Sequence, residues 1–298
     1  MKWRDRKQSS NVEDRRSSSG GAGGFKMPSL QTLLFIYPLV KPLLKSKFGL
    51  LIVAAGAVAY ISGFNPLSII GGSSQNTPTT KEQLAKDNEE AAFMSTVLAD
   101  TEDVWSAIYR NSGYTYKPPK MVLYRGSTRS GCGYADAQMG PFYCPNDQKI
   151  YVDLGFFDEL KNRFGATGDF AQAYVLAHEV GHHIQNLQGT LEQVEMAKQR
   201  SYGKAGQNAL QVKVELQADC YAGVWTHHAQ KMKNMLERGD IDEALNAASA
   251  IGDDHIQKQT TGYVMPDSFT HGSSKQRMEW FYKGLKSGDL RSCDTFSG

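Results

Sequence analysis

The sequence lacks a dominant charge: 33 Lys and Arg oppose 31 Asp and Glu, for a net charge of +2. So balanced a chain has no overall electrostatic grip on nucleic acid, which is held by many uncompensated cations, and no nucleic-acid partner is expected. No internal repeat is apparent, which excludes a solenoid or a propeller. Cysteine is scarce: there are four in 298 residues and none precedes Cys132. Charge is missing altogether from Phe48 to Phe64. That run sits at the short end of a helical membrane span, about 17–25 residues, and the apolar stretch continues through Leu67, Ile69 and Ile70.

The charge that is present is unevenly placed. Lys2, Arg4, Arg6, Lys7, Arg15, Arg16, Lys26, Lys41, Lys45 and Lys47 all precede the uncharged run. The bias of basic residues toward the cytoplasmic side then makes residues 1–47 a basic cytoplasmic tail and residues 48–70 a single transmembrane anchor. A cleaved signal peptide ending near Ala57-Val58-Ala59 is the rival reading, and 47 polar and mixed residues ahead of the run argue against it. Within the tail, residues 17–24 read as a Ser/Gly linker. Residues 29–44 read as an apolar interfacial segment interrupted by Pro38, Lys41 and Pro42. A second linker over 71–85 leads to a domain at 86–298, long enough for a sizeable core.

On this topology all four cysteines lie outside the cytoplasm, where disulfides form and persist. Four cysteines allow three connectivities. The favoured one pairs Cys132 with Cys144 and Cys220 with Cys293; spacings of 12, 76 and 73 match no common zinc cluster.

The chemistry is concentrated in His178-Glu179-Val180-Gly181-His182. Proline is absent from the preceding Asp169–Ala177, whose apolar residues recur every three or four positions, so the segment reads as helix. Residues i and i+4 of a helix share a face, about 5–6 Å apart at Cβ, which suits two imidazoles on one tetrahedral zinc with bonds of about 2 Å. Gly181 costs such a helix about 1 kcal/mol and leaves room for a second segment to approach closely.

The third ligand is expected from Val212–Trp225, where apolar residues at 212, 216, 220 and 224 mark the buried stripe of another helix. Glu215 and Asp219 stand four apart on the neighbouring stripe. Two carboxylates on a buried face are unfavourable unless paired or bound to a cation. Glu215 is therefore the candidate ligand, and Asp219 the carboxylate that takes the other N–H of a metal-bound imidazole. His183, His227, His228 and His255 are expected outside the metal shell. Helix is also expected over 88–109, 156–164, 241–259 and 276–285, with strands at 121–124 and 149–153.

HExxH followed by Glu-x-x-Ala-Asp resembles gluzincin-type metallopeptidases. Gly131-Cys132-Gly133, Gly140-Pro141-Phe142-Tyr143-Cys144-Pro145, Glu215–Cys220, Ile251-Gly252-Asp253-Asp254 and Phe269–Arg277 are similar to the bacterial neutral zinc metallopeptidase family. The resemblance implies a mainly helical α+β, zincin-like domain with a small sheet, in which Lys149–Leu154 would flank the substrate cleft. It implies one Zn²⁺ per chain, held by His178, His182 and Glu215, with Glu179 as the general base. It also implies a peptide or protein substrate and a bacterial source; with the tail, anchor and cysteines read above, the domain is expected outside the cytoplasmic membrane. Within that frame His271 is expected to steady the oxyanion, and Arg277 to hold a carboxylate near the metal or to assist there itself. An anchored scaffold with an idle metal site, and amide hydrolysis of a cell-wall substrate, are the alternatives.

Overall fold

A computed structural model describes residues 1–16, 80–136 and 139–297. In chain order these form β1 (Val12–Asp14), α1 (Lys81–Asn111), β2 (Lys120–Tyr124), β3 (Ser127–Ser130), β4 (Gly133–Asp136), β5 (Phe142–Cys144) and β6 (Lys149–Asp153). The helices α2 (Gly155–Asn162), α3 (Asp169–Leu187), α4 (Thr190–Arg200), α5 (Gly203–Lys233), α6 (Asp240–Ala250), α7 (Asp253–Thr261) and α8 (Ser274–Ser287) follow. The class is α+β, mainly helical with a small sheet, as expected.

The principal sheet has the order β1-β2-β6-β5; β5 pairs antiparallel with β6 and the other pairs are parallel. Side chains alternate between its faces with period two. Met121, Leu123, Ile150, Val152 and Tyr143 join the main core with the helices, whereas Val122, Tyr124, Tyr151 and Cys144 form a smaller cluster on the other face. Trp105 of α1 and Trp225 of α5 are fully buried in the main core or beside it. Burying a side chain of Leu or Phe size contributes about 1.5–3 kcal/mol relative to exposure, so the two metal-motif helices are held chiefly by packing.

Three expectations are corrected here. Lys149–Leu154 does not flank an open edge: β6 is paired on both sides, and among the described residues β1 and β5 are the outer strands. The single helix expected over 241–259 is two, because the chain turns extended at Gly252, where a Cβ would sit 2.4 Å from the backbone nitrogen of Ser274. The hairpin β3–β4 and helix α4 carry no strong periodicity and were not anticipated.

The third concerns residues 1–47 as a separate tail. Met1 to Arg16 are built into the domain: Lys2 N–H donates to Met235 O at 2.8 Å, and the Trp3 ring lies 5.3 Å from Phe93. Arg6 pairs with Asp100 at 2.6 Å, and Val12, Glu13 and Asp14 register against Met121, Val122 and Leu123. Apolar anchors and strand pairing, which a count of positive charge does not see, decide where this segment lies. The expected anchor at 48–70 falls outside the described residues. Among the described residues no helix is long and apolar enough to cross a membrane.

Both disulfides join the expected cysteines, Cys132 to Cys144 and Cys220 to Cys293, with Cα separations of 5.8 and 5.5 Å. Two such bonds point to a location outside the cytoplasm.

Candidate metal centre

α3 and α5 cross where Gly181 meets Ala218. A Cβ on Gly181 would stand 3.0 Å from both the Cα and the O of Ala218, so the glycine inside the first motif and the alanine inside the second form one close contact. That approach brings the two polar stripes together. One ligand atom from each of His178, His182 and Glu215 falls within 4.8 Å of the others.

The geometry sorts the ring nitrogens. Nε2 of His178 and Nε2 of His182 face the same Glu215 oxygen, at 3.2 and 3.4 Å. The Nδ1 atoms turn away: that of His178 donates to Asp219 Oδ1 at 2.8 Å, and that of His182 to Gln185 Oε1 at 2.8 Å. Both histidines thus present Nε2 to one point, with the opposite nitrogen oriented by an acceptor, the arrangement that fixes a metal ligand's tautomer. Gln211 donates to the remaining Glu215 oxygen at 2.7 Å. Two imidazoles and one carboxylate, each with its outer atom already committed, fit a zinc ion and leave a fourth position open.

The charges agree. Burial pushes the Glu215 carboxyl up, but His182 and His178 overcome it and hold the group well below its ordinary range. Burial works against charge on His178 as well, and Asp219 and Glu215 reverse this and raise it to about 10.

Glu179 is 7 % exposed; burial raises its pKa against the opposing pull of His182 and His178.

Asp219 is fully buried and held at about 2: burial opposes ionisation, and Arg277 and His178 prevail. Arg277 reaches it with Nε to Oδ2 at 2.9 Å and Nη2 to Oδ1 at 3.0 Å. Tyr174, one turn before His178, donates to Asp219 Oδ1 at 2.5 Å. Of the two expectations for Arg277, the structure brings it to the carboxylate.

His271 lines the same cleft of about 880 Å³ as His178, Glu179, His182 and Glu215. Its side chain is 52 % exposed, and Nδ1 lies 3.2 Å from Asp253 Oδ1. The other Asp253 oxygen accepts the backbone N–H groups of Thr270, His271 and Gly272 at 2.7, 2.6 and 3.0 Å. His183 faces away from the cleft, donating Nε2–H to Lys117 O at 2.7 Å, and His227 and His228 bond to carbonyls at the end of α8 and just past it. A second acidic group, Asp169, Asp240 and Glu243, is already engaged by the Met1 amino group and the Phe170 N–H.

Sequence reasoning missed Tyr174, Gln185 and Asp253. The first two had a signal, since each is one turn from a motif histidine on α3; Asp253 acts across the fold and had none beyond its place in Ile251-Gly252-Asp253-Asp254.

Histidines four apart on one buried helix, a glutamate from a second and a carboxylate between the histidines define the class of HExxH metallohydrolases. The chain belongs to the family described as "Putative neutral zinc metallopeptidase", which matches residues 1–296. It is similar to the uncharacterized protein YpfJ of Escherichia coli K12, at 46 % identity over 301 residues and 99 % of each chain. It is also similar to the uncharacterized protein Rv2575 of Mycobacterium tuberculosis H37Rv, at 47 % identity over 204 residues, 65 % of this chain and 66 % of that one. No solved structure is significantly similar. The family implies zinc as the cofactor and hydrolysis as the chemistry.

Proposed function

We propose that this chain is a zinc-dependent peptidase that hydrolyses peptide bonds outside the cytoplasm, with residues 48–70 as its candidate membrane contact. The observation that carries this reading is the convergence of His178, His182 and Glu215 within 4.8 Å, beside Glu179, in an open cleft. Zinc, when bound by these three residues, supplies an activated water and polarises the carbonyl to be attacked.

The rest falls to the chain's own groups. Glu179 takes the proton from the attacking water and passes it to the leaving amine, a role favoured by a carboxyl whose pKa is raised by burial. His271, oriented through Nδ1 by Asp253, would donate from its other nitrogen to the oxyanion when the ring carries both protons. Asp219 and Arg277 act one step back, by holding the His178 ring.

Glu179→Gln tests the assignment. The variant should keep one zinc per chain by atomic absorption, and cleavage of an unfolded polypeptide should fall on the order of 10²–10⁴-fold. Undiminished cleavage would sink the role of Glu179. A zinc-binding parent chain that cleaves nothing would favour the scaffold reading instead.

A further inference from the structure

The two metal-facing histidines are steadied by different chemistry. His178 gives its outer N–H to the carboxylate of Asp219, whereas His182 gives its own to a neutral amide, that of Gln185. The bonds do not stop there. Gln185 Nε2 donates to Val214 O at 2.8 Å and to Gln217 Oε1 at 3.0 Å, and Gln217 Nε2 donates to Cys293 O at 3.1 Å. Gln185 is fully buried and Gln217 nearly so. Cys293 is fully buried as well, and its disulfide joins it to Cys220, on α5 one turn past Gln217.

The direction of every bond follows from the carbonyls at which the chain of bonds ends. A backbone carbonyl accepts and cannot donate, so Cys293 O requires the NH2 group of Gln217 and turns the Gln217 oxygen toward Gln185. That oxygen and Val214 O in turn require the NH2 group of Gln185, which leaves the Gln185 oxygen facing His182. Only a protonated Nδ1 can meet that oxygen. In a neutral ring the lone pair then sits on Nε2, on the side of Glu215. A flipped Gln185 would set its oxygen against two buried acceptors, and unmade hydrogen bonds in the interior are costly.

We infer that Gln185, Gln217 and the segment held by Cys220–Cys293 are positioning parts of the metal centre: a one-way relay, anchored at the Cys293 carbonyl, that holds His182 in its metal-binding tautomer. This inference rests on the zinc reading of the site. An amide suits the task, because a carboxylate in place of Gln185 would add a fourth buried carboxyl to Glu179, Glu215 and Asp219, at a desolvation cost that a neutral group avoids. The anchoring carbonyl belongs to a turn of four residues, Leu290–Cys293, too short to be stable alone. Its place against α5 is set by ties to that helix: the disulfide, and Thr295 Oγ1–H on Lys213 O at 2.7 Å.

The simple alternative is that the amides and the disulfide only fasten this segment to α5. Two readouts on the full chain separate the readings: zinc affinity by competition with a chromophoric chelator, and solvent exchange of the imidazole N–H resonances in the cobalt-substituted protein. Gln217→Met, which keeps side-chain length but neither amide group, should weaken zinc about tenfold or more, the usual cost of losing an outer partner. It should also speed exchange of the His182 N–H and leave that of His178 unchanged. Cys220→Ala with Cys293→Ala should do the same, and adding Gln217→Met to that pair should cost little more, since both break one relay. Thr295→Val removes a tie of the same segment to the same helix outside the relay, and should leave both readouts at the parent's values. Parent-like zinc affinity and exchange in Gln217→Met overturn the relay; so do an equal loss in Thr295→Val and a change shared by both imidazoles. If the paired cysteine variant does not fold, Gln217→Met against Thr295→Val decides alone. A parent chain that binds no zinc counts against the metal centre, and this inference falls with it, whereas one that binds zinc but cleaves nothing sinks the peptidase reading and leaves the relay standing.

Discussion

Arg277 is 2 % exposed and spends its guanidinium on one carboxylate, one phenol and one carbonyl. A buried cation of this kind is tolerable only because Asp219 neutralises it with two parallel bonds. The His178 ring is thereby fixed by a group that itself cannot move. Asp253 plays the corresponding part for His271. Burial pushes its carboxyl up, yet the His271 imidazole and the N–H groups of the 270–272 turn outweigh this and hold it below the ordinary 3.8. A depressed folded-state value means that the stabilisation is present above pH 3.8 and is lost as pH falls through the lowered value. Asp253→Asn should therefore be less stable than the parent at neutral pH and lose less between about pH 5 and pH 3, as measured by thermal unfolding at each pH. An equal acid slope in both proteins would remove Asp253 from this role. Of these residues, His178, His182, Glu215 and Asp219 were legible because helix periodicity places them. Arg277 was legible by resemblance, and Asp253 only from the fold, since its partners lie 17 to 19 positions away.

At the scale of elements, the site depends on two helix crossings with almost no space between backbones. α3 meets α5 at Gly181, and α5 meets α8 at Gly223 and Gly284. A Cβ on Gly223 would stand 2.0 Å from Phe281 O, and one on Gly284 2.0 Å from Cys220 O. Gly223→Ala must therefore push α8 away from α5, and Arg277 moves with α8. The expected cost is about 3 kcal/mol or more, at the upper end for overpacking, read as a lower urea midpoint, together with weaker zinc binding by titration. Native stability in that variant would show that the crossing yields. The helices with sustained apolar periodicity, α1, α3 and α5, were readable in outline. β5 was not, because three residues between prolines give no alternation to count. The break at Gly252 was also hidden, since it follows from a neighbour, Ser274, brought close by tertiary packing.

On the scale of the whole molecule, the chain is closed on itself at both ends of its sequence. Cys293 ties the C-terminal segment to Cys220, one residue past Asp219, across 73 positions. Closing so long a loop removes about 4 kcal/mol of entropy from the unfolded chain. Cys293→Ser should therefore lower the denaturant midpoint by a comparable stability, and dithiothreitol, which also opens Cys132–Cys144, should bring parent and variant to a common midpoint; coincident midpoints without reductant would show that the bond contributes nothing. At the other end, β1 was invisible to charge counting, since the same arginines and lysines that suggested a cytoplasmic tail lie on a segment held by Trp3 and by strand pairing. That strand has a consequence of its own. Val12–Asp14 and the metal-centre helices belong to one folded unit, so the basic residues flanking the first strand share a compartment with the metal centre, and their charge cannot be used to place them on the opposite side of a membrane from it.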